Sequence, residues 1–115
     1  MSHKRGSRMA AKRLLRASVF AAFGDETRLW LVAKLSGGHP CSISQLTAGS
    51  RLTRQAITKH LRVLESVGIV RGVQAGRENL FQFNPEPIEE MKKYLDTVSL
   101  QWDQALSRLK SFVED

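Results

Sequence analysis

Five side chains between residues 54 and 62 have the types and spacing to read a nucleic acid. Arg54, Gln55, Thr58, Lys59 and Arg62 offer three cations, one amide and one hydroxyl, with no acid among them. Their steps of one, three, one and three put them on one side of an α-helix. A helix fits the major groove of duplex DNA, where arginine pairs bidentately with guanine and glutamine with adenine. Residues nearest the helix N-terminus point at base edges, so Arg54, Gln55 and Thr58 are the expected base readers. Lys59 and Arg62 are the expected phosphate contacts, which position without specifying. The other side of the same helix carries Ile57, His60, Leu61, Leu64 and Val67. That stripe reads as core, and His60 within it as a core histidine with a hydrogen-bonded ring rather than a ligand.

Such a helix needs a frame. Thr53 is placed to cap it and Gly68 to end it. Upstream, Ser42 can cap a short helix over Ile43 to Ala48, and Gly49-Ser50 forms a tight turn between the two, a helix-turn-helix over about residues 42–67. Downstream, the β-prone run Ile69 to Val73, the turn Gln74 to Arg77 and the alternating stretch Glu78 to Phe83 predict a basic hairpin, a wing over 69–83. Arg77 at its tip is expected to reach phosphate or the minor groove, and Arg51 and Ser44 are further expected phosphate contacts. Residues 1–8 are basic without apolar periodicity and are expected to form a flexible arm. From Met9 the stripes Leu15, Val19, Ala22 and Leu14, Ala17, Ala21 predict a helix that Gly24 closes with a positive φ. Asp25 is the expected N-cap of an apolar helix from Glu26 to about Ser36.

The last segment, 85–114, has the cleanest periodicity. Ile88, Met91, Leu95, Val98, Trp102, Ala105, Leu109 and Phe112 alternate steps of three and four, an a/d seam over more than three heptads. A helix over 87–114 would run ~42 Å, against a ~27 Å width for a domain of this length. It must bend or pack on something outside its own domain. A second copy of the same helix is the expected partner, so the dimer interface is assigned to Leu15, Val19, Met91, Leu95, Val98, Trp102, Leu109 and Phe112.

Charge follows the same division. Eighteen Lys/Arg against eleven Asp/Glu give +7 over 115 residues, and a pI near 10.2, so a polyanion is the first partner to consider. Residues 1–24 hold +6 and residues 51–77 hold +5, whereas residues 78–115 hold −4. A single cysteine cannot form an internal disulfide, which argues for a reducing compartment, expected to be the cytoplasm. Apolar runs of at most five residues are far too short for a membrane span.

Three motifs carry a family resemblance. Phe23-Gly24-Asp25-Glu26-Thr27-Arg28-Leu29 resembles the start of the second helix of ArsR-type winged-helix regulators. Thr53-Arg54-Gln55-Ala56-Ile57-Thr58-Lys59-His60-Leu61-Arg62-Val63-Leu64, followed by Gly68-Ile69-Val70, resembles their recognition helix and first wing strand. Gly76-Arg77-Glu78 with Phe81 and Phe83 resembles their wing. The resemblance covers about residues 10–114. It implies a mostly helical winged helix-turn-helix with a small β-hairpin wing, dimerised through its first and last helices, acting as a homodimeric repressor on a palindromic operator. Metal sensors of that family carry a Cys-x-Cys pair where this chain has Ser42 and Ser44, with Cys41 just before them. Others place ligands along the last helix, where this chain has no histidine. The resemblance is therefore to the branch without an obvious metal site, and no metal or cofactor is expected.

Two alternatives stand beside that reading. One is a metal- or redox-responsive repressor of the same fold using His39 and Cys41. The other is a winged-helix module for RNA or protein, since fold alone does not fix function. An enzyme is not expected: no phosphate-cradling glycine loop, nucleophile–base pair or inward carboxylate dyad is present. The expected partners are double-stranded DNA and a second copy of the chain, with a small-molecule inducer left open.

Overall fold

The computed structural model describes residues 2–114, with side chains from residue 6 onward. Within them the elements run α1 (Ser2–Phe23), α2 (Glu26–Leu35), β1 (Cys41–Ser42), α3 (Ile43–Ala48), α4 (Arg54–Ser66), β2 (Val70–Ala75), β3 (Glu78–Phe83) and α5 (Glu86–Glu114). The architecture is the mostly helical winged helix-turn-helix that the sequence pattern implies. The three strands form one antiparallel sheet in the order β1-β3-β2.

Local capping chemistry sets the helix starts. Asp25 Oδ2 accepts the Arg28 backbone N–H at 3.0 Å and opens α2. Ser42 opens α3 with a reciprocal box: its Oγ accepts from Gln45 N–H at 3.1 Å, and Gln45 Oε1 accepts from Ser42 N–H at 2.8 Å. Thr53 Oγ1 accepts the Ala56 N–H at 3.1 Å and opens α4. Gly68, at φ +80°, ends the α4 region, and Ile69 N–H returns to Leu64 O at 3.0 Å, a Schellman-type closure. The wing turns on Gly76-Arg77, with Gly76 at φ +64° and Ala75 facing Glu78. A positive φ at the first central residue suits the twist of a two-residue hairpin.

The core lies where α2, α3 and α4 meet the base of the sheet. Leu31, Leu35, Leu46, Ile57, Leu61, Leu64, Ile69 and Val70 are fully buried, and Phe81, Phe83 and Ile88 pack against them. Complete burial of a side chain of this size contributes about 1.5–3 kcal/mol, so three such anchors on α4 hold it firmly.

Three expectations are corrected. The helix expected from Met9 begins at Ser2, so residues 2–8 extend α1 rather than form a separate arm. Ala10 to Ala17 are mostly strong helix formers, and a nucleated helix propagates without an apolar stripe. Gly24 does not take a positive φ. Its N–H bonds Ala21 O at 3.0 Å, and a Cβ there would lie 3.2 Å from that oxygen, so close approach explains the glycine. Val19, assigned to a dimer interface, is 3% exposed and lies in the protomer's own core with Ala22, because the last turns of α1 meet the core while the turn that carries Leu15 does not.

The last helix stands apart. At 29 residues, α5 spans ~43 Å and has no fully buried residue. The protomer measures 67 × 42 × 22 Å with a radius of gyration of 19.1 Å, well above the ~13 Å of a compact chain of this length.

Candidate nucleic-acid interface

With Ile57, Leu61 and Leu64 turned into the core, α4 leaves Arg54, Gln55, Lys59 and Arg62 exposed and Thr58 half-buried. These five side chains line one shallow open groove along the helix. They differ in freedom. Thr58 Oγ1 donates to Arg54 O at 2.8 Å, which uses its one proton and leaves an acceptor and a methyl group outward. Arg54 Nη1 donates to Ser44 Oγ at 2.8 Å, tying the start of α4 to α3.

The wing stands beside this helix. A cleft of about 390 Å³ between them is lined by Thr58, Arg62 and Glu65 of α4 and by Gln74 and Asn79 of the strands. Glu65 is the one carboxylate on α4; its Oε2 would lie 3.5 Å from a Cβ at Gly72. A smaller cavity of about 300 Å³ brings Ser44 and Arg54 together with Arg77 of the wing turn. Arg51 is exposed in the connection between α3 and α4 and lines a different cleft, against Trp30. The β1–β3 pairing builds this closeness by joining Ser42 to Leu80, which seats the start of α3 against the wing. Sequence reading missed β1, Gln74 and Asn79. Asn79 had a signal in the strand alternation, whereas a two-residue strand is defined only by its partner.

A second cluster fixes α4 from behind. Arg28 Nε donates to Ala22 O at 2.7 Å, and its Nη1 lies 3.3 Å from His60 Nδ1. A guanidinium can only donate, so this contact forms with the tautomer whose Nδ1 is free to accept. Asp25 Oδ2 lies 3.7 Å from the same nitrogen. The Arg28 backbone N–H holds the Asp25 carboxyl below its ordinary range, with the His60 and Arg28 charges acting the same way against a desolvation that raises it. His60 is half-buried with this polar tie rather than sunk in the core.

The assigned seam is open. Leu15, Leu95, Trp102 and Leu109 are about half exposed or more, Phe112 is 81% exposed, and Met91 and Val98 are half-buried. Tyr94 packs edge-on to Phe20 and under the Arg16 guanidinium, 4.6 Å from the ring centre. Cys41 is half-buried, and its Sγ donates to the main-chain oxygen of His39 at 3.4 Å. Among the described residues no group of three or more His, Cys, Asp or Glu is placed to hold a metal. No helix among them is long and apolar enough to cross a membrane.

Comparisons with known proteins agree with this geometry. Residues 25–71 match the family model described as bacterial regulatory protein, arsR family. The HTH-type transcriptional regulator YuzN of Bacillus subtilis is 35% identical over 82 residues, covering 66% of this chain and 89% of that protein. An ArsR-like transcriptional regulator from Rhodococcus sp. RHA1 superposes with a TM-score of 0.82 at 33% identity, over 91% of this chain and 95% of that one. The fold is shared, at 20% identity and a TM-score of 0.66, with Mb0332 of Mycobacterium bovis, a homodimeric winged helix-turn-helix DNA-binding domain; that match covers 80% of this chain and 84% of the other.

Proposed function

The chain belongs to the ArsR family of bacterial transcriptional regulators, and from that premise we propose that it is a homodimeric, sequence-specific repressor of a palindromic operator. The DNA-binding winged helix-turn-helix of the family is present, and the family is not one of enzymes. The observation that carries the finer reading is the outward face of α4: polar, cationic, anchored by three buried residues and flanked by the wing. Gln55 is its clearest base reader, with Thr58 offering its methyl and acceptor to a neighbouring base. Lys59 and Arg62 engage phosphates, and Arg51 supports the backbone from the connection before α4.

Two half-sites about 34–36 Å apart require two such helices. Leu15, Met91, Leu95, Val98, Trp102, Leu109 and Phe112 supply the apolar surface for pairing. Charged residues elsewhere on α5 keep that surface a stripe rather than a general hydrophobic coat.

Selection of bound duplexes from a random library tests this reading. The selected duplex should bind at least ~10³-fold tighter than random duplex, and RNA of the same sequence should not compete. Equal affinity for all three would reject sequence-specific repression.

A further inference from the structure

We propose that Ser44, Arg54 and Arg77 form one seat for a single DNA backbone phosphate, in which Arg54 holds the backbone instead of reading a base. This rests on the reading of α4 and the wing as a duplex-binding surface and assigns one contact within it.

Arg54 opens the recognition helix, the position from which a base is ordinarily reached. Its guanidinium instead reaches back to α3, with Nη1 on Ser44 Oγ at 2.8 Å. That bond engages one of five N–H groups and leaves the fork available to an anion. Arg77 comes to the same cavity from the wing turn, beside Asn79. Two arginines, a serine and an asparagine from α3, α4 and the wing line one cavity of about 300 Å³, room for a phosphate and a bridging water.

The backbone of the seat is preformed. Main-chain pairing of Ser42 with Leu80 fixes α3 against β3, the Ser42–Gln45 box fixes the start of α3, and the two-residue turn fixes Arg77 relative to β3. Glu78 is the one carboxylate at its edge, so the site keeps a net positive charge with both arginines and loses it with either removed. Paired, planar donors match the non-bridging oxygens of a phosphodiester. Such a contact fixes register and carries no sequence information.

The test is binding of a labelled random-sequence duplex of about 30 base pairs, read by fluorescence anisotropy across about 50 to 300 mM salt. The proteins are wild type, Arg54→Ala, Arg77→Ala, the double variant and Arg54→Lys, each checked for native circular dichroism. Each single alanine should weaken random-duplex binding by about threefold or more. The double variant should lower the log–log salt slope by about 0.9, the value for one phosphate. Arg54→Lys should keep the slope while losing affinity, because a point charge cannot bridge. A slope loss of about 1.8 in the double variant, meaning two separate phosphates, would overturn the proposal. So would an Arg54→Ala variant that binds random duplex like wild type, the signature of a base reader. Inorganic phosphate should compete no better than chloride at matched ionic strength. Stronger competition that vanishes in the double variant would make the seat one for a free anion and overturn its assignment to DNA. Failure of the wild type to bind any duplex would reject the reading beneath it.

Discussion

His60 Nδ1 and the Arg28 guanidinium meet at 3.3 Å, across 32 residues of sequence. Through Arg28 Nε on Ala22 O, this contact ties the recognition helix to the last turn of α1. The orientation of the polar face of α4 is thus coupled to the α1–α2 corner, where Asp25 also sits within 3.7 Å of His60.

That corner has an acid limit. Asp25 is held below its ordinary value of 3.8, first by the Arg28 N–H that it accepts. A carboxylate with a depressed folded pKa contributes stability above its unfolded pKa and loses it as pH falls through the folded value. Thermal melts between about pH 5 and pH 3 should therefore fall more steeply in wild type than in Asp25→Asn, which keeps a capping oxygen without the charge. Parallel curves would remove Asp25 from the acid limb.

Base reading separates from backbone holding by specificity. Gln55→Ala should cost about 1–3 kcal/mol at the operator and leave random-duplex binding unchanged. Lys59→Ala should weaken both alike and lower the salt slope by about 0.9. Anisotropy on operator and random duplexes checks both, and a uniform loss in Gln55→Ala would dismiss its role as a reader.

Pairing should fail when its seam is charged. Leu109→Glu or Leu95→Glu puts a carboxylate among exposed apolar side chains that the protomer itself does not cover. Sedimentation at micromolar concentration should show a dimeric wild type and monomeric variants, the latter with weakened operator binding because only one half-site is engaged at a time. A monomeric wild type would end the dimer reading.

Metal should leave operator binding nearly unchanged. Two thiolates hold a soft cation because two anionic sulfurs share its charge. Here Ser42 Oγ is occupied in the α3 cap and Ser44 Oγ by Arg54. Zinc or a chelator should shift operator affinity by no more than about twofold, below ~0.5 kcal/mol, and Cys41→Ser should bind like wild type. A tenfold release by a thiophilic metal, lost in Cys41→Ser, would restore the His39/Cys41 alternative.

What the sequence made legible was local or periodic. Asp25, Ser42 and Thr53 act as the caps their side chains suggest, since capping needs only neighbours three residues away. The division of α4 into a buried stripe and a polar face follows from helical spacing alone. What was hidden depended on distant partners. Cys41-Ser42 is a strand only because β3 lies beside it. The tie from Arg54 to Ser44, ten residues earlier, joins two helices and is not visible in the spacing of either. Val19 and Leu15 share a stripe in sequence, yet one is buried and the other open, because only the fold decides which turn of α1 meets the core.

The unburied length of α5 has a dose consequence. A helix with no fully buried residue in its own protomer leaves most of its apolar length to be covered, so in the proposed dimer its order follows mass action. In a dimer built on this helix, the amount of binding-competent protein at low expression rises with the square of protomer concentration. Halving synthesis then removes about three quarters of the competent species. Release from the operator would follow from dilution during growth alone, with a threshold set by the affinity of one helix seam for another.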